Sequence, residues 1–219
     1  MHCAAIFDWD GTLADSKKAI VASFQKVFQD ANIVVSNEFI ERRIGIGSRN
    51  LIIDALKTSN VSFSDKLLNT LLNGKIEAEI ELTPMVELFD GAIELLNTVC
   101  GKMKTALASM NNRAVIERLF DEKGIRKYFD VVLAAEDVAK AKPDPEIFLK
   151  AATGLLCAPK QCVVLEDSIF GVKSAKAARM KCIAIASGTY SKKELKEEKP
   201  DLIVNSLKET REISAFLFG

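Results

Sequence analysis

Two acids with one residue between them, Asp8 and Asp10, stand directly after an apolar run, and Gly11 and Thr12 follow them. A carboxylate in such a place can attack an electrophile, while a second acid two residues on can protonate a leaving oxygen and then activate water. A tight turn at Gly11 and Thr12 could aim backbone N–H groups at phosphate oxygens. Ser109 ends a second apolar run; Glu136, Asp137 and Lys142-Pro143-Asp144 follow a third; Glu166-Asp167 ends a fourth. Ser109 could donate a hydrogen bond to an anion, and Lys142 could neutralise charge developing in a transition state.

The charges imply a missing partner. Asp8, Asp10, Glu166 and Asp167 could carry four negative charges against one from Lys142. Such a cluster repels a phosphate and raises its own pKa values. A divalent cation resolves the conflict, and an all-oxygen donor set suits Mg²⁺ rather than zinc. His2 is the sole histidine, which excludes histidine metal sites and Ser-His or Cys-His triads. Lys plus Arg and Asp plus Glu each number 30, for a formal net charge of zero. No general attraction to nucleic acid or anionic lipid follows, so the expected partner is a small phosphorylated metabolite. The oligomeric state is left open, and a monomer is compatible with the sequence.

These groups need a scaffold that gathers them. Cys3 to Phe7, Met103 to Ala108, Val131 to Ala135 and Cys162 to Leu165 read as buried parallel strands, with Cys182 to Ala186 as a fifth and Leu202 to Val204 as a short edge strand. Amphipathic stretches lie between them. Val115, Ile116, Leu119 and Phe120 mark one, with Asn111 or Asn112 as a cap, and the small residues Gly171, Ala175 and Ala178 mark another that could pack close to a sheet. The alternation predicts a doubly wound α/β sheet, whose ligands bind beyond the carboxyl ends of the strands. From Ser16 to about Leu82 the pattern is helical instead, with Ile20, Phe24, Val27 and Phe28 as one apolar face and Leu68, Leu72, Ile76 and Ile80 as another. The expected division is therefore a core of residues 1–15 and 84–219 and a helical insertion of residues 16–83. The chain crosses between them twice, which makes a natural hinge.

The five cysteines, Cys3, Cys100, Cys157, Cys162 and Cys182, show no two-residue gap of a zinc or redox motif. They read as reduced core thiols of a cytoplasmic protein. No signal peptide or membrane span is visible.

The segment Asp8-Trp9-Asp10-Gly11-Thr12-Leu13-Ala14-Asp15-Ser16 resembles the signature of the haloacid dehalogenase superfamily of phosphatases. Ser109, Lys142-Pro143 and Glu166-Asp167-Ser168 match its three other motifs in order, and the helical insertion lies where that family carries its α-helical cap. The resemblance implies Mg²⁺ held by Asp8, Asp167 and the backbone carbonyl of Asp10, with Glu166 in or near the coordination shell. It implies hydrolysis of small phosphorylated metabolites, of sugar phosphate or phosphoglycolate type, through an aspartyl-phosphate on Asp8. The subgroup with β-phosphoglucomutase and phosphoglycolate phosphatase is the most similar. There the mutase pattern has a hinge histidine near position 20, and this chain has Ile20, which favours hydrolysis. Two alternatives stand beside this reading: a mutase, and a non-catalytic binding or regulatory module on the same fold. Dehalogenation is disfavoured by Asp10, and phosphonate cleavage would need a cap lysine such as Lys17, Lys18 or Lys75.

Substrate contacts from the insertion are open. Arg42, Arg43 and Arg49, beside Gly45-Ile46-Gly47, could read a second anionic or hydroxyl group or could be solvated helix charges. Asn111 could touch substrate, cap a helix, or do both. Lys75 reads more simply as a helix surface residue than as a substrate contact.

Overall fold

A computed structural model describes residues 2–219. In chain order, β1 (Ala4–Phe7) and β2 (Ala14–Asp15) are followed by four helices, α1 (Lys17–Asp30), α2 (Asn37–Glu41), α3 (Ser48–Thr58) and α4 (Asp65–Leu82). The chain returns through β3 (Glu87–Leu88) and α5 (Ala92–Val99) to β4 (Lys104–Ala108), α6 (Arg113–Lys123) and β5 (Val131–Leu133). It continues through α7 (Glu146–Gly154), β6 (Cys162–Glu166), α8 (Ile169–Ala177), β7 (Lys181–Ile185), α9 (Lys192–Glu197), β8 (Leu202–Val204) and α10 (Thr210–Phe218).

Six parallel strands form the main sheet in the order β5-β4-β1-β6-β7-β8. Side chains alternate across it with the period of two that a strand imposes. Phe7, Leu107, Val163, Leu165 and Ile183 face one side, beneath Leu95 and Leu96 of α5, Val115 and Leu119 of α6, and Ile213 of α10. Ala4, Ile6, Ala106, Ala108, Val164 and Ala184 face the other, against Ile147 and Phe148 of α7 and Val172 and Ala175 of α8. Both faces are therefore dry, which explains why the strands read as continuous apolar runs. Trp9 is fully buried, edge-on to Phe120.

The four-helix insertion has its own core, in which Phe24, Val27 and Phe28 of α1 meet Ile52 and Leu56 of α3 and Leu68 and Leu71 of α4. Ser36 and Ser64 cap α2 and α4 by accepting from Phe39 N–H and Leu67 N–H. The expected apolar face of α4 needs correction. Leu68 does face the insertion's core, but Ile76 and Ile80 are only partly buried and pack against the α/β core instead. The buried residues of the helix's second half are Lys75, Ala78 and Glu79. The helix passes from one hydrophobic environment to another, so one stripe cannot serve its whole length. The insertion is entered and left through β2 and β3, which pair antiparallel with Ala14 opposite Leu88 and Asp15 opposite Glu87.

The cysteines also need correction. Cys3 and Cys157 form a disulfide, their Cα atoms 6.3 Å apart, because α7 packs beside the start of β1 and delivers Cys157 to Cys3. Cys162 and Cys182 are buried free thiols, while Cys100 is exposed. Among the described residues, no helix is long and apolar enough to cross a membrane.

Candidate active site

The carboxyl ends of the strands bring the chemistry together. Asp8 directly follows β1, and its N–H donates to the Leu165 carbonyl at 3.1 Å. The chain then turns sharply, the Trp9 carbonyl accepting from the N–H groups of Thr12, Leu13 and Ala14. Gly11 holds this turn with φ of 82°, a conformation costly for any residue with a Cβ. Ser109 follows β4, Glu166 ends β6 with Asp167 next, and Lys142 arrives from the loop after β5.

Lys142 is fully buried and bridges two acids. Its Nζ donates to Asp8 Oδ1 at 2.7 Å, to Glu166 Oε1 at 2.6 Å and to the Ala108 carbonyl at 3.1 Å. Burial alone would lower its pKa, but Asp8 and Glu166 hold the ammonium above the ordinary lysine range. Asp8, Glu166 and Asp167 each offer a carboxylate oxygen within 4.8 Å of the others. Burial pushes Asp8 and Asp167 upward, and Glu166 adds to the shift of each; Lys142 opposes it.

A divalent cation fits this set. Three buried carboxylates against one ammonium leave excess negative charge where water cannot screen it. Asp167 lies in a cradle that side chains would fill, since a Cβ at Gly11 or at Gly188 would overlap its carboxylate. Among the described residues, its carboxylate accepts only a long 3.3 Å bond from Thr12 Oγ1. Glu166, by contrast, is fully engaged by Lys142, its own neighbour's N–H, and the N–H and hydroxyl of Ser168. Asp167 and Asp8 are thus the freer donors.

The Asp10 carboxylate stands outside that cluster and faces the insertion. Ser16 Oγ donates to it at 2.6 Å. Its pKa is raised to about 6, first by burial and then by Glu79, with the Ser16 hydrogen bond opposing. Ile20, Phe24, Arg43, Lys75, Met110 and Asn111 share its cavity. Asn111 Nδ2 donates to Glu79 Oε1 at 2.8 Å across the boundary between core and insertion, and its N–H donates to Ser109 Oγ at 3.0 Å. Glu79 also pairs with Lys75, both side chains being almost wholly buried.

Asp8, Asp10, Gly11, Thr12, Ser109, Asn111, Lys142, Glu166 and Asp167 are therefore assembled at one sheet edge. Arg49 is set apart: it is half exposed, near Asn69 and Asp65, and lines a neighbouring cleft. Arg42 is tied to the core surface, 2.7 Å from Glu194 and 4.3 Å from the centroid of the Tyr190 ring. Asn112 begins α6 and bonds Glu136 rather than capping the helix with its own side chain. Sequence reasoning did not single out Ser16, Glu79 or Gly188 as parts of the site. Ser16 was legible as the last residue of the Asp8 motif, and Glu79 as an acid one helical turn after Lys75; Gly188 carried no such signal.

The sequence profile of haloacid dehalogenase-like hydrolases matches residues 5–185, and the chain belongs to that family. It is a hydrolase of the phosphatase and β-phosphoglucomutase-like subgroup. The crystal structure of β-phosphoglucomutase from Clostridium difficile superposes with a TM-score of 0.88 at 27% identity, covering 98% of this chain and 96% of that one. A phosphorylated carbohydrates phosphatase of Thermotoga maritima is 31% identical over 218 residues, which cover 94% of this chain and 98% of the relative. The chloroplastic 5-amino-6-(5-phospho-D-ribitylamino)uracil phosphatase of Arabidopsis thaliana is 30% identical over 194 residues, 84% of this chain but only 49% of the relative's length.

Proposed function

We propose that this chain is a Mg²⁺-dependent phosphatase that hydrolyses small phosphorylated metabolites through an aspartyl-phosphate on Asp8. The observation that carries the proposal is the division of labour between two acids. Asp8 lies among the metal-type carboxylates, 2.7 Å from Lys142, while Asp10 faces the cavity with a pKa raised to about 6. That separation of environments suits a nucleophile beside a general acid.

Asp8 attacks phosphorus, forming the Oδ–P bond as the ester P–O bond breaks, and Asp10 gives its proton to the departing alkoxide. Asp10, now ionised, takes a proton from water as the water oxygen bonds to phosphorus and the Asp8 Oδ–P bond breaks. Inorganic phosphate and the original Asp8 carboxylate result. Ser109, whose Oγ accepts from Asn111 N–H, keeps its own proton for a phosphate oxygen. Lys142 counters negative charge on the transferring group. When bound, a divalent cation held by Asp8, Asp167 and the Asp10 backbone carbonyl supplies further charge neutralisation.

Hydrolysis is favoured over mutase chemistry by Ile20. It shares the Asp10 cavity and is 4% exposed, yet it has no proton to give and no hydrogen bond to make. Nothing at that position delays water activation by Asp10. The test is a parallel assay on purified protein with β-glucose 1-phosphate, its bisphosphate activator and a panel of phosphomonoesters. Phosphate release with at most trace glucose 6-phosphate is expected; isomerisation outrunning hydrolysis would establish the mutase. No turnover of any substrate, a generic aryl phosphate included, would establish the non-catalytic module.

A further inference from the structure

Two cationic residues line the Asp10 cavity, Lys75 and Arg43, and each already has a carboxylate partner inside the insertion. Lys75 pairs with Glu79 one turn further along α4. Arg43 Nε lies 3.3 Å from Asp54 Oδ2, and its Nη1 donates to the Phe39 carbonyl at 3.1 Å. With both cations balanced, the charge left over in the cavity is that of Asp10 when it is ionised. Among the described residues, neither cation of this cavity is free of a carboxylate partner, whereas Lys17 lines a separate cavity that Asp10 also borders.

It does offer hydrogen bonds of both kinds. An ammonium has three donors, and among the described residues Lys75 uses one, toward Glu79. The carboxylate of Glu79 accepts from Lys75 on one oxygen and from Asn111 on the other, which leaves lone pairs on both. A hydroxyl can accept from the remaining Lys75 donors and exchange hydrogen bonds with Ser48, which also lines the cavity; Glu79 does not line it and acts by balancing the charge of Lys75. A carboxylate only accepts, and it would meet the charge of Glu79 and Asp10 in a site where burial weakens screening. Of the other lining residues, Ile20, Phe24 and Leu51 are apolar, and Ser48 and Asn111 are polar but uncharged.

We propose that the Lys75–Glu79 pair sets substrate class, admitting phosphomonoesters whose leaving group carries uncharged hydroxyls and disfavouring those that carry a carboxylate. The inference rests on the phosphatase reading above. Lys75 and Glu79 are specificity residues in this account; the bond-making groups remain Asp8 and Asp10.

The test uses two substrates with the same three-carbon skeleton, glycerol 1-phosphate and 3-phosphoglycerate, which differ at one terminus as hydroxymethyl and carboxylate. Wild-type protein is expected to favour glycerol 1-phosphate in kcat/KM by about tenfold or more. Glu79→Gln keeps the shape and frees the Lys75 charge, so the ratio should move toward 3-phosphoglycerate by roughly tenfold. Asp54→Asn frees Arg43 from a partner whose side chain is 44% exposed; it puts the fold at little risk and should shift the ratio the same way by a smaller factor. A purely structural role for Glu79 would lower both substrates together and leave the ratio alone. Equal or better turnover of 3-phosphoglycerate by wild type, or a ratio unmoved in each variant that folds, overturns the inference while leaving the phosphatase reading intact, provided an aryl phosphate is hydrolysed. Absence of turnover with all three compounds overturns both.

Discussion

Ser16 and Asp10 are joined by a 2.6 Å hydrogen bond in which the serine hydroxyl donates to Asp10 Oδ1. Ser16 is also the N-cap residue of α1, yet its side chain makes no capping bond to that helix. The hydroxyl therefore holds the candidate acid and base rather than the helix end. Ser16→Ala should lower kcat by about 10–100-fold, the value of a hydrogen bond to a charged group, with the melting temperature nearly unchanged. Ser16→Thr should restore most of the rate. A large loss of stability with unchanged kcat would assign Ser16 to the helix instead.

Asp8 sits where attack on phosphorus is possible, and Lys142 beside it retains Glu166 as a partner if Asp8 loses its charge. Asp8→Asn should therefore fold normally, by circular dichroism and thermal melting, while kcat falls at least about 10³-fold. Substantial residual turnover in that variant would rule out the aspartyl-phosphate route.

Chelation with EDTA should remove activity and added Mg²⁺ should restore it. Asp167→Ala should weaken the apparent Mg²⁺ affinity more than Glu166→Ala does, because Glu166 is occupied by Lys142 and Ser168 whereas Asp167 is nearly unbonded. Glu166→Ala should instead cost more stability, since it strips buried donors of their acceptor. Gly188→Ala is expected to mimic Asp167→Ala, as the added methyl displaces that carboxylate. The opposite order of Mg²⁺ affinities would exchange the roles of the two acids.

The Cys3–Cys157 bond closes a loop across 154 residues of separation. Disulfides typically stabilise by about 2–4 kcal/mol, with long loops toward the upper end, so reduction, or Cys157→Ser, should lower the denaturation midpoint by a corresponding amount. Mass spectrometry of unreduced protein should show two hydrogens fewer than the sequence requires. Identical melting with and without reductant would show that the bond contributes nothing in solution.

The strands and the four motifs were legible because each is written locally. A strand buried on both faces must be apolar throughout, and the reactive groups at Asp8, Ser109 and Glu166-Asp167 follow at once where the apolar run ends. The Lys75–Glu79 pair was not legible, since a lysine and a glutamate four apart on a helix ordinarily mark a solvated face. Only the packing of α4 over the sheet edge turns that face inward. The same holds for Cys157, whose partner is chosen by how α7 lies on β1, and for Arg49, which α3 turns toward Asn69 and Asp65. What escapes the sequence is the contact between elements that are each individually readable.

The antiparallel pairing of Ala14 with Leu88 and of Asp15 with Glu87 brings the two ends of the insertion side by side. A segment with adjoining ends can be exchanged for another of different length without stretching its host. If the insertion sets substrate preference as proposed above, grafting would rewrite that preference with every strand-end carboxylate left in place. Two attachments limit such a graft: the Ser16 hydroxyl on Asp10 and the Glu79 carboxylate on Asn111. On the mechanism proposed above, a foreign insertion that supplied neither would keep Asp8 in place and lose the hydrogen bond that holds Asp10, so its products should bind phosphate esters better than they hydrolyse them.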